Sequence, residues 1–200
     1  MAVQEIDPTT GPHRDQDTTR QHDLHGGAMT ALSDILVTTA GSWTLAPNRS
    51  SVTFRNKTAW GLATVTGEFS EFSGDGVVGE TVTGRLVIRA TSLHTGITKR
   101  DNHLRSADFF DVDTHPDIVV EVTGFEPADT RSARLRATLT VRGTSQPIEL
   151  PVTVLVLDDG AVRVSGGCTV SRREFGVSGN MLGMVGPKTD ISADLVFTRA

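Results

Sequence analysis

The stretch Arg134-Leu135-Arg136-Ala137-Thr138-Leu139-Thr140-Val141-Arg142 puts every apolar residue on one side of an extended chain and every charged or hydroxyl residue on the other. That period of two is the signature of a half-buried β-strand, because successive side chains of a strand point to opposite faces. Val82 to Arg89 repeats it, with Val82, Gly84, Leu86 and Ile88 opposed to Thr83, Arg85, Val87 and Arg89. Working outward, the same reading predicts strands at Ser42 to Ala46, Ser51 to Lys57, Ala63 to Phe69, Ile118 to Val122, Ile148 to Leu157, Val162 to Ser171 and Thr189 to Thr198. The fold class is therefore all-β, and the natural closure of about eight antiparallel strands is a barrel whose interior is filled by side chains or holds one small ligand.

The links between strands agree with that topology. Asp159-Gly160 is the pair favoured in a two-residue type I′ hairpin, and Gly74-Asp75-Gly76 and Gly143-Thr144-Ser145 read as turns. Ser92 to Pro116 is too polar and irregular for a strand and too long for an ordinary hairpin; Thr98 and Ser106 are its helix-start candidates, which predicts one or two short helices.

The chain has 200 residues, 37% of them hydrophobic and 22% charged, which suits one globular domain with some spare chain. Residues 1–40 hold six acids against Arg14 and Arg20 and read as an acidic tail without fixed structure, apart from a short amphipathic helix at 29–37. Residues 41–200 form the expected barrel domain. Beyond the tail, 18 acids face 17 basic residues with no basic block, so nucleic acid is excluded as the expected partner. No apolar run approaches the roughly 20 residues that cross a bilayer, and the start lacks the pattern of a secretory signal. Cys168 is the sole cysteine, so no intramolecular disulfide or thiolate zinc site stabilises the fold.

Small residues at Gly84, Ala137, Gly166 and Ala193 fall in the apolar phase of four strands. They either leave a lumen open or mark bends that curve the sheet, and the sequence leaves both readings standing. In strand 148–157, Leu155 and Leu157 make the nominally solvated row apolar as well; the docked turn at Leu32 to Leu36 or a second copy of the chain would cover it, and a homodimer is favoured.

Candidate chemistry is sparse. His94, His103 and His115 lie among Asp101, Asp108, Asp111 and Asp113, but without HExxH or EF-hand spacing, and the aspartates read as caps of helix ends and bends. No GxSxG elbow or phosphate-cradling glycine loop is present, and Cys168 sits in an apolar row. The expectation is a protein that is not an enzyme, with no metal and no cofactor. Arg100-Asp101 and Arg172-Arg173-Glu174 stand out as charged sequences. They read first as rim-fixing ion pairs and caps; the sharper reading makes Arg100 and Arg172 contacts for an anionic or carbonyl head group.

Taken in order, Ser51-Val52-Thr53-Phe54, Val65-Thr66-Gly67-Glu68-Phe69, Ser92-Leu93-His94-Thr95-Gly96, Arg100-Asp101 to Leu104, Asp108-Phe109-Phe110-Asp111, His115-Pro116, Leu139-Thr140-Val141-Arg142-Gly143 and Arg172-Arg173-Glu174-Phe175-Gly176-Val177 resemble the YceI-like polyisoprenoid-binding family. The resemblance spans about Gly41 to Phe197. It implies a lipocalin-like antiparallel barrel whose elongated apolar pocket holds an isoprenoid or a similar long amphiphilic chain, with the protein acting as carrier or store. On that reading the chain contacts come from Phe54, Trp60 and Phe69, then Gly84, Leu86 and Ile88, Phe110 of the insertion, Val120 and Leu139, Val152 and Val154, and Gly166 and Phe175. Met181 and Met184, in the glycine-rich run 180–186, complete the set as a soft portal. Several relatives carry a secretory signal where this chain has its polar tail, so cytoplasmic residence is the expectation. An interaction module with a filled barrel and no lipid is the alternative.

Overall fold

A computed structural model of the chain describes residues 32–58, 61–179 and 185–200. Trp60, Met181 and Met184 and most of the tail lie outside the described residues, and so do residues 180–184 of the expected portal, whose last two residues, Val185 and Gly186, open the final strand.

The described strands are β1 (Gly41–Leu45), β2 (Ser51–Thr58), β3 (Ala63–Phe69), β4 (Phe72–Val78), β5 (Val82–Arg89), β6 (Leu93–His94), β7 (Asp117–Pro127), β8 (Ser132–Val141), β9 (Thr144–Val156), β10 (Val162–Ser171) and β11 (Val185–Arg199). All pairings are antiparallel, in the order β1-β4-β5-β7-β8-β9-β10-β11-β2-β3-β6, and β1 also pairs with β11 to close the ring. β1 and β2 lie along the same edge of β11, interrupted by a 3-10 turn at Pro47–Arg49. β3 and β4 are likewise consecutive pieces beside them. The strands thus trace eight paths around one closed barrel, as the period-two reading predicts.

Four local expectations are corrected. Gly74-Asp75-Gly76 is not a turn but the centre of β4, paired with β1 and β5; three flexible residues hid a strand whose partners supply the constraint. Asp159-Gly160 does not make a type I′ pair. Gly160 has φ 79° but Asp159 is not left-handed, the Gly160 N–H bonds Leu157 O at 2.9 Å, and Leu157 N–H bonds Ala161 O at 2.8 Å, which is a three-residue loop with its left-handed position on glycine. The two-residue hairpin is instead Arg142-Gly143, left-handed at both positions with φ 51° and 71°, joining Val141 directly to Thr144. Ser106 closes a helix rather than starting one: α2 spans Thr98–Arg105, and both the Ser106 N–H and its hydroxyl donate to His103 O.

The fourth correction concerns α1, Leu32–Thr38. Leu32 and Ile35 do not cover the outer row of β9; they pack with Trp43, Ala133, Val152, Val154 and Val162, closing one end of the barrel from inside. Trp43 Nε1–H donates to Thr39 O at 2.7 Å, and Arg199 stacks over the Trp43 ring at 5.1 Å while donating to the Thr38 and Ala40 carbonyls. The end of the helix and the two residues after it are thus anchored to β1 and β11 through the Thr38, Thr39 and Ala40 carbonyls. A cation at that terminus also meets the negative end of the helix dipole.

Between β6 and β7 the described ladder is open, and the 95–116 insertion covers the gap. Phe109 and Val112 enter the main core with Phe69, Phe72, Ile88 and Leu93, and Ala90 N–H bonds Pro116 O at 2.8 Å.

Candidate functional site

Small and apolar inward residues leave a cavity of about 330 Å³ inside the barrel, within the roughly 300–1,000 Å³ of small-molecule pockets. Its wall is almost wholly apolar. Leu86, Val120, Leu135, Ile148, Leu150 and Leu195 all line it and are only half-buried, although they belong to inward rows packed on the core. Phe54, Phe69 and Phe110 make an aromatic corner, with ring centroids 5.5 and 6.3 Å apart and the second pair edge to face. The Ile88, Leu139, Val152 and Phe175 side chains also border the space, as does Gly166.

Two of the residues expected at the lumen lie elsewhere. Val154 is one inward position further along β9 than Val152 and packs in the α1 cluster that shuts the barrel end. Gly84 shares the row of Leu86 but does not border the cavity, and a Cβ there would fall 3.2 Å from Asp75 O. Gly166 combines both of the readings left open by the sequence. It lines the cavity, yet a Cβ would come within 2.7 Å of Pro151 O and 2.8 Å of Val152 Cγ1, so β9 and β10 approach too closely for any side chain.

The two candidate arginines are both at the cavity and both engaged. Arg100 Nε–H donates to Thr95 Oγ1 and its Nη2–H to Thr95 O, each at 2.7 Å. Asp101, buried at the start of α2, accepts from Thr95 N–H at 3.0 Å and from the Thr95 hydroxyl, with His94 Nδ1 3.3 Å away. This network folds the β6–α2 turn onto itself, so Asp101 acts as an internal acceptor.

Arg172 is more unusual, because it is 6% exposed and donates to four main-chain carbonyls. Nε–H reaches Gly186 O at 2.8 Å, Nη1–H reaches Val177 O at 2.6 Å and Gly179 O at 2.8 Å, and Nη2–H reaches Val185 O at 3.1 Å. Burial, and then the charge of Arg173, pulls its pKa below the usual guanidinium value. The side chain ties the chain on both sides of 180–184 to the barrel end.

Sequence reasoning missed three contributors. Arg105 donates to Thr91 O and Leu93 O, and Arg142 to Phe109 O and Gly176 O; both sew the insertion and the 172–177 turn to the strands. Asn56 is the third. It takes the inward slot after Val52 and Phe54 on β2, where alternation calls for an apolar residue, and it is 9% exposed in the cavity wall. The polar residue breaking an otherwise apolar row was the available signal.

Among the described residues, no group of three or more His, Cys, Asp or Glu side chains is placed to hold a metal ion. His103 instead pairs with Asp108 at 3.3 Å and stacks edge-on against Phe109, and His115 lies against Gly143. Burial pushes the Cys168 thiol pKa up. No helix among the described residues is long and apolar enough to cross a membrane.

A closed eight-path antiparallel barrel around one apolar cavity, with a short helical insertion over one gap, defines a lipocalin-like class of β-barrel. Within that class the chain belongs to the YceI-like domain family, whose model matches residues 43–197. A UPF0312 protein of Pseudomonas aeruginosa is 28% identical over 126 residues, 58% of this chain and 65% of the relative. A UPF0312 protein of Azotobacter vinelandii is 25% identical over 126 residues, 58% of this chain and 66% of the relative. The chain thus spans about two thirds of the length of these relatives.

Among solved structures, Burkholderia cenocepacia BcnA superposes with a TM-score of 0.71 at 20% identity, covering 77% of this chain and 99% of that one. A polyisoprenoid binding domain from Saccharophagus degradans, implicated in plant cell wall breakdown, superposes with a TM-score of 0.67 at 18% identity, covering 79% and 98%. At these identities the likeness is one of fold.

Proposed function

We propose that the barrel binds and shields a long-chain amphiphilic lipid, an isoprenoid (a polyprenyl lipid or an isoprenoid quinone) being the class that fits best, as a carrier or store and without catalysing a reaction. The observation that carries this reading is the continuous apolar cavity inside a closed barrel. Burying each CH₂ of a chain gains roughly 0.8 kcal/mol, so a long hydrocarbon is held with few polar contacts. A barrel filled by its own side chains, as an interaction module would be, leaves no such space. The polyisoprenoid binding of the Saccharophagus degradans domain supports the same ligand class.

Native mass spectrometry after gentle purification from a prenyl-lipid-containing host tests it. Retained or accepted lipid of chain length C15 or more is the expected result; a protein that neither carries lipid nor takes up added geranylgeraniol has no carrier function. Self-association belongs to the same proposal, because Leu155 and Leu157 stay only half-buried outside the barrel. Sedimentation at tens of micromolar, where about 7 kcal/mol of association is already visible, should show a dimer.

A further inference from the structure

We propose that Asn56 is the head-group contact of the cavity, and that it selects a neutral head group carrying a donor hydrogen, a hydroxyl or an N–H. The inference rests on the lipid-binding reading above and deepens it.

The orientation of the Asn56 amide is fixed by its neighbours. Nδ2–H donates to Lys188 O at 2.9 Å and to Thr189 Oγ1 at 2.9 Å, with Gly186 O at 3.3 Å. These carbonyls need a donor because the ladder is broken there: Thr58 pairs with Val185 and Asn56 with Thr189, so β11 has two more residues than β2 across the bulge. Pro187, within the bulge, has no N–H to offer. Turning the amide over would set its oxygen against two carbonyl oxygens, so the nitrogen must face the bulge.

The consequence falls on the other end of the amide. Asn56 Oδ1 is buried in the cavity wall and has no hydrogen-bond donor among the described residues. A buried carbonyl left unpaired costs roughly 1–3 kcal/mol, and buried polar groups are paired in the great majority of cases. An acceptor in an apolar cavity is satisfied by a ligand that brings a proton. Arg172 shares Gly186 O with Asn56, and its positive charge beside the site disfavours an ammonium head. An ether, an ester, an oxidised quinone or a fully ionised phosphate brings no hydrogen to the oxygen, so within the isoprenoid class the inference narrows the ligand to alcohol and quinol forms. Alcohols, phenols and amides remain, with the hydrocarbon running from Asn56 toward Val52, Leu150 and Leu135.

The test compares geranylgeraniol with geranylgeranyl methyl ether, which differ in one donor hydrogen, by displacement of a fluorescent fatty probe from the full chain. The wild-type protein should bind the alcohol about tenfold more tightly than the ether, which is about 1.4 kcal/mol. In Asn56→Ala that preference should vanish. Equal affinity of both probes for the wild-type protein overturns the assignment of Asn56 and leaves the carrier reading intact. Failure of both probes to bind overturns the carrier reading and this one with it. The wild-type comparison needs no variant, so an Asn56→Ala protein that fails to fold does not spare the proposal.

Discussion

Ala193 offers the sharpest probe of how a chain lies in the barrel. It lines the cavity on β11, directly between Gly166 of β10 and Val52 of β2, and it lies four residues from Thr189, the partner of Asn56. At about 3.3 Å per residue, that places it about 13 Å along the strand from the head-group contact. An extended chain advances about 1.2 Å per bond, so the eight main-chain carbons of geraniol stop near 8 Å and the sixteen of geranylgeraniol reach about 18 Å. Ala193→Leu inserts three carbons into the wall at that point, in a place where Gly166 presents no side chain. Three displaced methylenes at roughly 0.8 kcal/mol each cost a long ligand about 2.4 kcal/mol, a loss of about 50-fold in affinity. A short ligand never meets the obstruction. Titration of both alcohols into wild type and variant, with urea unfolding as a check on stability, gives the four numbers needed. Equal losses for geraniol and geranylgeraniol, or no loss for either, would refute the direction of the chain.

The remaining predictions concern the frame around the cavity. Gly166→Ala should destabilise the barrel by about 1–3 kcal/mol in urea unfolding, since its Cβ meets Pro151 O and Val152 Cγ1 below contact distance. Arg172→Leu strips the donor from four carbonyls and should lower stability by about 3 kcal/mol or more, while Arg173→Leu, next to it and exposed, should change it by less than about 0.5 kcal/mol. Leu32→Ala, in the plug that shuts the barrel end, should cost about 2–4 kcal/mol in the same assay, and a loss under 0.5 kcal/mol would mean α1 is not part of the cooperative core. Cys168 has a raised pKa, so its thiolate forms later than usual with rising pH. Its alkylation rate should reach half-maximum above the ordinary thiol midpoint of about 8.5, and a midpoint below that would contradict the burial.

The strands were legible where the barrel imposes one buried face, as at Val82–Arg89, Ala63–Phe69 and Val162–Ser171, whose limits match the alternation residue for residue. Legibility failed at Phe72–Val78. There Gly74 and Gly76 replace the side chains that would carry the pattern, and the pairing partners, invisible to a local reading, decide the conformation. The hairpin at 157–161 failed for a related reason: Asp-Gly is compatible with two loop lengths, and the Leu157–Ala161 hydrogen bonds, not the dipeptide, choose between them. α1 was read as amphipathic near its true place, but amphipathicity does not say which apolar surface receives the helix. The helix went to the inner row at Val152 and Val154, where Trp43, Ala133 and Val162 complete one apolar cluster around Leu32 and Ile35.

For the cavity, alternation found the aliphatic wall, and charge misdirected the search for its polar end. Arginines attract notice in a sequence because they are rare in apolar company and match anionic groups so well. In a barrel with broken strands, however, the commonest unsatisfied groups are main-chain carbonyls at turns and bulges, and Arg100, Arg105, Arg142 and Arg172 all donate to them. A guanidinium occupied in this way has its donors aimed at the backbone and offers a ligand mainly its charge. Asn56 is occupied on one side only, since an amide carries its acceptor opposite its donors. The bulge in β11 that demands the nitrogen therefore also leaves the oxygen buried and unpaired in a residue of the cavity wall. Frame and recognition become one requirement: any replacement for Asn56 must keep a donor for Gly186 and Lys188 while presenting something to the ligand, and glutamine, one methylene longer, moves both ends at once. Asn56→Gln should therefore lose both stability and the alcohol preference, whereas a residue serving the ligand alone would lose only the second.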